Sequence, residues 1–149
     1  MEYLYKNVSI YADSKMNLII IPTGRSEKWG GALDLDLPIR LDFPYNDDDL
    51  ENEIYYAFEQ CFSLIPDENA KETVLEKALN IKGYSKAARD RRFISAFWNV
   101  DEGYIVTPTQ KVPRQGYCHL TEKAFELGSN PKKREIATAI RAAISISTY

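Results

Sequence analysis

Residues 18–22 read LIIIP and residues 104–108 read YIVTP, and these two stretches decide the fold. Each is rich in β-branched residues and ends in a proline, which cannot donate to a strand ladder. A similar apolar run precedes each stretch, Val8 to Tyr11 in the first case and Ile94 to Phe97 in the second. Short connections join the runs of each pair, and the second connection contains the turn residues Asp-Glu-Gly. The pattern predicts two β-hairpins.

The two hairpins belong to a weak internal repeat. A shift of 86 residues aligns residues 6–63 with residues 92–149 without a gap, and eight of the 58 aligned positions are identical. The identical pairs are Ser9/Ser95, Ile19/Ile105, Pro22/Pro108, Thr23/Thr109, Gly30/Gly116, Leu41/Leu127, Ile54/Ile140 and Ala57/Ala143. Eight identities is close to the chance number, so the repeat is inferred from the matching order of its elements.

Each repeat closes with an amphipathic helix after short extended segments that reach Leu41 and Leu127. The first helix has Asn46 or Asp47 as its expected cap and Pro66 as its stop. Its apolar stripe is Leu50, Ile54, Ala57, Phe58, Cys61, Phe62 and Ile65. The second helix has Ser129 or Asn130 as its expected cap and Pro131 near its first position. Its stripe is Ile136, Ile140, Ala143 and Ile144.

A connecting helix is predicted between the repeats over Asp67–Asn80, with a further short helical turn over Ser85–Asp90. Hairpins followed by helices are typical of an α+β domain with a largely antiparallel sheet and helices packed on it. No low-complexity stretch or linker divides the chain. We therefore expect one domain over residues 1–149, built from a duplicated hairpin-plus-helix unit.

The amino-acid composition is typical of a globular protein that does not cross a membrane. The 149 residues are 44% hydrophobic and 28% charged, as in packed globular proteins. The longest uninterrupted apolar run, Ile54–Phe58, is far too short to span a membrane, and the first residues do not resemble a signal peptide. Two cysteines, Cys61 and Cys118, fit a reducing compartment. A cytoplasmic protein without membrane contact is expected.

The charge is distributed unevenly. Residues 34–68 carry eleven acidic side chains against Arg40 alone, whereas residues 86–149 carry eleven basic and six acidic side chains. The net charge of -3 therefore combines a segment of -10, a half of +5 and a remainder of +2. Such asymmetry indicates a charged partner or pairing between the halves, and the simpler alternative is a solvated acidic surface.

Catalysis finds little support in the sequence. His119 is the only histidine, and Cys118 beside it would point to the opposite face of a strand. We expect His119 to be partly buried and structural. Zinc would need more cysteine or histidine ligands, and the contiguous carboxylates Asp47–Asp49 do not converge as a metal site requires. No enzyme activity, cofactor or metal is predicted.

The basic counterpart of Asp47-Asp48 is Lys133-Arg134, with Lys132 just before them. These three cations are predicted to lie in the first turn of the second helix, where they oppose the helix dipole. The acidic repeat, a bound anion or a partner would have to offset this unfavourable interaction. The alternative is that the cations are exposed and that salt screens them enough for the helix to tolerate the penalty.

The second repeat resembles a known family. The runs 93–97 (FISAF), 104–108 (YIVTP) and 114–117 (RQGY), with Leu120, Glu122-Lys123 and 134–140 (REIATAI), are similar to the immunity proteins of contact-dependent growth inhibition, the CdiI proteins. The resemblance covers residues 84–147 and extends loosely to the first repeat. It implies a cytoplasmic protein that neutralises the C-terminal toxin domain of CdiA. Such toxins are commonly nucleases, with an RNase expected ahead of a DNase.

An acidic segment that mimics a phosphate backbone would suit that partner, because nucleases present basic substrate-binding surfaces. The predicted toxin-binding residues are Asp34, Asp36, Asp42, Tyr45, Asp47, Asp48, Asp49, Glu51, Glu53 and Tyr56. Tyr55 could anchor the same surface; the alternative is core packing, which is favoured more for Tyr55 than for Tyr56. We expect a monomer or weak dimer that makes no direct contact with nucleic acid. The alternative is a small nucleic-acid-binding or regulatory protein, which would use Lys132–Arg134 and the basic residues of 86–92 as one face.

Overall fold

The fold is taken from a computed structural model, which describes residues 3–28 and 30–149. It confirms an α+β architecture in which every strand pairing is antiparallel. The elements are β1 Tyr5–Ala12, β2 Leu18–Arg25, β3 Ala32–Asp34, β4 Ile39–Leu41, α1 Asp47–Gln60, α2 Val74–Leu79, α3 Tyr84–Ala87, β5 Arg92–Asn99, β6 Gly103–Val112, β7 Gly116–His119, a 3-10 turn Thr121–Lys123, β8 Phe125–Gly128 and α4 Glu135–Ile146.

The sheet has the strand order β3-β2-β1-β5-β6-β7, with β4 also paired to β2 and β8 also paired to β6. Strands β1 and β5 are therefore the central pair, and each half of the chain builds one side of the sheet. Helix α1 lies over the first side and α4 over the second. The hairpin-plus-helix unit predicted from the sequence thus occurs twice.

The strand registers repeat at the same 86-residue interval as the sequence. In the central pair, Ser9 lies opposite Ser95, its own counterpart under the shift. In the first hairpin Val8 faces Pro22, and in the second Ile94 faces Pro108, which is the equivalent pair. An approximate two-fold axis therefore passes between Ser9 and Ser95.

Hydrogen bonds outside the strand ladders repeat as well. The Thr23 hydroxyl donates to the carbonyl of Asn7 at 2.7 Å, and the Thr109 hydroxyl donates to the carbonyl of Phe93 at 2.6 Å. The threonine carbonyls accept, each at 3.1 Å, from the backbone N–H of Phe62 and of Thr148 respectively. The identity of Thr23 and Thr109 thus has a physical reason, since each threonine ties its hairpin to the end of its helix.

The core has a layer on each face of the sheet. Alternate residues of a strand point to opposite faces, so Val8 and Ile10 face α1 and α4 while Tyr11 faces the other side. The larger layer holds Leu50 and Ile54 from α1 with Ile136, Ile140 and Ile144 from α4. The smaller layer holds Val74 and Leu75 from α2 and Ala87 and Ala88 at α3.

The start of α1 confirms the prediction, and its end does not. Asn46 caps the helix, because its side chain accepts from the backbone N–H of Asp49 at 2.8 Å. The helix ends at Gln60, well before Pro66, because Phe62 adopts the left-handed conformation with φ of 65° and bonds to the carbonyl of Thr23. Ile65 therefore lies outside the helix and is 94% exposed.

The connecting helix is shorter than predicted. Only Val74–Leu79 is helical, because Thr73 and Glu76 form a capping box at its start and Asn80 is left-handed at its end. The short turn of helix predicted over Ser85–Asp90 is α3, which begins at Tyr84 and ends at Ala87.

Helix α4 begins four residues later than Pro131 would place it. Neither Ser129 nor Asn130 is its cap; that position belongs to Arg134, which is left-handed with φ of 71° and makes no side-chain capping bond. The three cations Lys132, Lys133 and Arg134 therefore precede the helix and are exposed. The prediction that they occupy its first turn was wrong.

The acceptor that the helix start lacks comes from α1. The two carboxylate oxygens of Glu51 accept from the backbone N–H groups of Arg134, at 2.9 Å, and Ala137, at 3.1 Å. Glu51 is 8% exposed. Since Ala137 is the counterpart of Glu51 under the 86-residue shift, this contact lies close to the two-fold axis. A carboxylate of the acidic first repeat thus satisfies the N–H groups at the start of the helix in the basic second repeat.

The variant Glu51→Ala is expected to lower the free energy of unfolding by about 3 kcal/mol. The reason is that the backbone N–H groups of Arg134 and Ala137 lose the charged carboxylate to which they donate. Glu51→Gln keeps one acceptor oxygen and should fall in between. Urea unfolding followed by circular dichroism measures the change. The matched control is Glu59→Ala, an exposed glutamate of the same helix, expected to change stability by less than about 0.5 kcal/mol. Equal losses in Glu51→Ala and Glu59→Ala would contradict the capping role.

Candidate protein-binding surface

The outward side of α1 carries a row of carboxylates with a tyrosine among them. Asp49, Glu53 and Tyr56 follow each other at spacings of four and three residues, which place them on one side of a helix. We call the acidic surface the set Asp48, Asp49, Glu53, Tyr56 and Glu59; Glu53 is half-buried and the others are exposed. Tyr56 is 50% exposed. The surface thus combines charge with an accessible aromatic ring.

These carboxylates form no salt bridge with any residue that the structure describes. Within residues 3–28 and 30–149 the salt bridges are Lys77–Asp36 and Arg141–Asp47, and neither involves the acidic surface. Helix α1 contains no basic residue. Three acidic residues in its first turn stabilise the helix by interacting with its dipole. Glu53 and Glu59 lie beyond that turn, so the helix dipole does not explain their presence. The surface therefore keeps a negative field directed at solvent.

Some of the predicted binding residues instead join α1 to α4. Asp47 forms a salt bridge with Arg141 at 2.8 Å, and the Arg141 guanidinium lies 5.0 Å from the centre of the Tyr45 ring. Tyr45 is buried and its hydroxyl donates to the carbonyl of Met16 at 2.9 Å. Glu51 is buried at the start of α4. Contrary to expectation, Tyr45 and Glu51 are inside the protein, and Asp47 is half-buried against α4.

The other predicted residues are scattered. Asp42 is exposed in the segment that leads from β4 to α1. Asp36 is exposed near α2, where it pairs with Lys77 at 3.7 Å. Asp34 at the end of β3 lies opposite Thr23, is half-buried and accepts a hydrogen bond from the Ser9 hydroxyl. Asp34 and Asp36 thus lie on the α2 side of the sheet, away from the acidic surface.

Helical spacing adds one acidic residue that the sequence prediction missed. Glu59 lies three residues after Tyr56 and is exposed. The same periodicity that identified the buried stripe of α1 could have identified it. Tyr55 packs against the larger core layer, as the core-packing alternative predicts, with its ring centre 5.7 Å from that of Tyr104.

The structure brings no catalytic group together in its described part. His119 is exposed at the end of β7, with its ring centre 6.1 Å from that of Phe93, so the prediction that it is partly buried was wrong. Cys61 is a buried free thiol at the end of α1, and burial raises its pKa. Over residues 3–28 and 30–149, no three His, Cys, Asp or Glu side chains gather as metal ligands would.

The two basic clusters do not form one face. Lys132–Arg134 lie at the start of α4, which covers one face of the sheet. Lys86 belongs to α3, whose Ala87 packs on the other face with Tyr11 and Ile19. Arg92 does reach α4, but it donates to the carbonyl of Ile144 at the end of the helix far from Lys132–Arg134. A single basic track across both clusters is therefore absent from the described residues. In that same part of the chain, no helix has the length and apolar character that crossing a membrane demands.

Comparisons with known proteins identify the fold. No family model and no curated protein matches the sequence. Solved structures with the same fold include a protein of unknown function from Neisseria meningitidis, with a TM-score of 0.73 at 12% identity, covering 99% of this chain and 100% of that one. They also include a chain of a CdiA-CT/CdiI toxin and immunity complex from Yersinia pseudotuberculosis, with a TM-score of 0.73 at 14% identity, covering 97% and 98%. At these identities the likeness establishes a shared fold.

The half-buried Asp34 predicts a pH dependence of stability. Burial raises the pKa of Asp34 from 3.8 to about 6. The folded state then binds the proton more tightly than the unfolded state, so this stabilising contribution is full below about pH 4 and is lost as the pH rises through about 6. Asp34→Asn should therefore stabilise the protein by up to about 3 kcal/mol above that range and little below it.

Urea unfolding of both proteins at about pH 4 and about pH 8 measures this difference. Asp36→Asn, which changes an exposed carboxyl near the same strand, is the control. A stability difference between Asp34→Asn and the unaltered protein that is the same at both pH values would contradict the account.

Proposed function

We propose that this chain is an immunity protein that binds and neutralises the C-terminal toxin domain of CdiA in a contact-dependent growth inhibition system. The observation that carries the proposal is the acidic surface, whose four carboxylates form no salt bridge with described residues and flank a half-exposed tyrosine. The likeness of the fold to a chain of a toxin and immunity complex supports a role of the same class.

The chemistry of the acidic surface suits a nuclease as the toxin. A nuclease must attract phosphates, so its substrate-binding surface is basic. Carboxylates at helical spacing offer that surface a competing row of negative charges, and electrostatic steering raises the rate of association. Tyr56 can add a buried aromatic contact of the kind that dominates many interfaces. An RNase is expected ahead of a DNase, and the site of action is the cytoplasm.

The acidic surface lies on a helix, α1, that is already held rigidly before a toxin binds. Asn46 caps the start of α1, and the Asp47–Arg141 salt bridge with the Glu51 capping bonds fixes the helix against α4. A helix held in this way loses little conformational freedom on binding, which favours affinity. The nucleic-acid-binding alternative would need Lys132–Arg134 and the basic residues of 86–92 on one face, but Lys86 lies on the opposite face of the sheet and Arg92 donates to the Ile144 carbonyl at the other end of α4.

Neutralising the acidic surface is expected to weaken toxin binding. In the combined variant Asp49→Asn, Glu53→Gln and Glu59→Gln, the association rate should fall by roughly tenfold or more at low salt, because steering is lost. The toxin domain is taken from the gene beside this one, and surface plasmon resonance gives the rates. Asp36→Asn, a change on the α2 side of the sheet, is the control and should bind as the unaltered chain does.

Growth and nuclease assays test the function itself. Co-expression of this chain should rescue cells that produce the toxin domain, and the purified chain should block cleavage of tRNA or plasmid DNA by that domain. Growth arrest that persists despite abundant folded protein would overturn the immunity role. Unchanged binding by the neutralised variant would overturn only the assignment of the acidic surface.

A further inference from the structure

A groove runs between β8 and α4, on the second half of the sheet. Phe125 and Leu127 of β8 form its floor, and Ala139 and Ala142 of α4 form one wall. Its volume is about 460 Å³, within the range of roughly 300–1,000 Å³ typical of ligand clefts. Lys132, Lys133 and Arg134 stand at its rim, where the chain enters α4.

The repeat explains why this groove is open. Under the 86-residue shift, the floor residues Phe125 and Leu127 correspond to Ile39 and Leu41 of β4. The wall residues Ala139 and Ala142 correspond to Glu53 and Tyr56 of α1, so two large side chains of the first half are replaced by methyl groups in the second. The groove is therefore the place where the second half lacks the bulk that the first half presents.

The rim carries an uncompensated positive charge. Among described residues, Lys132, Lys133 and Arg134 form no salt bridge, and the backbone of Arg134 but not its guanidinium contacts Glu51. Glu135 also lines the groove and is its one described carboxylate against these three cations. An anionic ligand at this rim would be attracted by the remaining charge.

We propose that this groove is a second protein-binding surface, which takes an acidic peptide segment with one large aromatic or aliphatic side chain between its carboxylates. The carboxylates would pair with Lys132, Lys133 and Arg134, and the apolar side chain would cover Phe125 and Leu127. An occupant with charge alone would leave the apolar floor in water, and one without charge would leave the cations unpaired.

Other occupants fit the groove less well. A single-stranded nucleic acid needs cations along its backbone track, whereas the cations here gather at one end. A second copy of the chain would have to offer its own acidic surface, and reciprocal contacts of that kind would make a dimer, which a measurement of oligomeric state detects. The proposal concerns a surface separate from α1 and stands whether or not the partner is a toxin.

A labelled acidic peptide with one central phenylalanine between aspartates tests the proposal by fluorescence anisotropy. Binding should be detectable at low salt and should weaken at high salt. Ala142→Tyr, which places in the groove the residue that α1 carries at the equivalent position, should weaken binding by roughly tenfold or more. Lys133→Glu should act in the same direction. Circular dichroism confirms that both variants are folded.

The controls separate this site from general charge attraction. Lys86→Glu, on the other face of the sheet, should leave peptide binding unchanged, and a peptide with alanine in place of phenylalanine should bind at least about tenfold more weakly. Equal binding by the alanine peptide, or by an oligothymidylate, would overturn the proposal. So would peptide binding that Ala142→Tyr does not alter. Concentration-dependent self-association in ultracentrifugation, abolished by Ala142→Tyr, would assign the groove to a second copy instead.

Discussion

The carboxylate of Glu51 is the contact on which the packing of α4 against α1 depends. Helix α4 begins after three cations, and its capping residue Arg134 offers no side-chain acceptor. The first N–H groups of a helix must find acceptors, and here Glu51 of α1 supplies two of them. Because Glu51 and Ala137 are related by the repeat, the contact lies where the halves meet. The acidic segment is thus partly a structural element.

The carboxylates of α1 therefore have two different roles. Asp47 and Glu51 hold α4, through Arg141 and through the helix start respectively. The remaining carboxylates of α1 form no salt bridge with described residues and face solvent. A binding surface and the contacts that fix it therefore belong to a single helix. The two helices have also diverged: α1 carries bulk and charge where α4 carries alanines and leaves a groove.

The hairpins and the α1 cap could be predicted from the sequence, because apolar runs and a capping asparagine act locally. The prediction that a proline ends each second strand was wrong, since β2 continues past Pro22 to Arg25 and β6 past Pro108 to Val112. The end of α1 and the start of α4 could not be predicted. Both depend on non-glycine residues in the left-handed conformation, Phe62 and Arg134, and each donates its backbone N–H to an acceptor on a distant residue. The same limit applied to the site: charge counting found the acidic segment and helical spacing could have added the exposed Glu59, but only the tertiary contact with the start of α4 shows that Glu51 is buried.

Carboxyl footprinting tests the central claim most directly. A carbodiimide with an amine label modifies exposed carboxylates, and mass spectrometry reports each site with and without the candidate toxin domain. The account predicts that Asp48, Asp49, Glu53 and Glu59 are labelled in the free chain and protected in the complex, while Asp36 is labelled in both. Labelling of α1 that does not change on complex formation would contradict it.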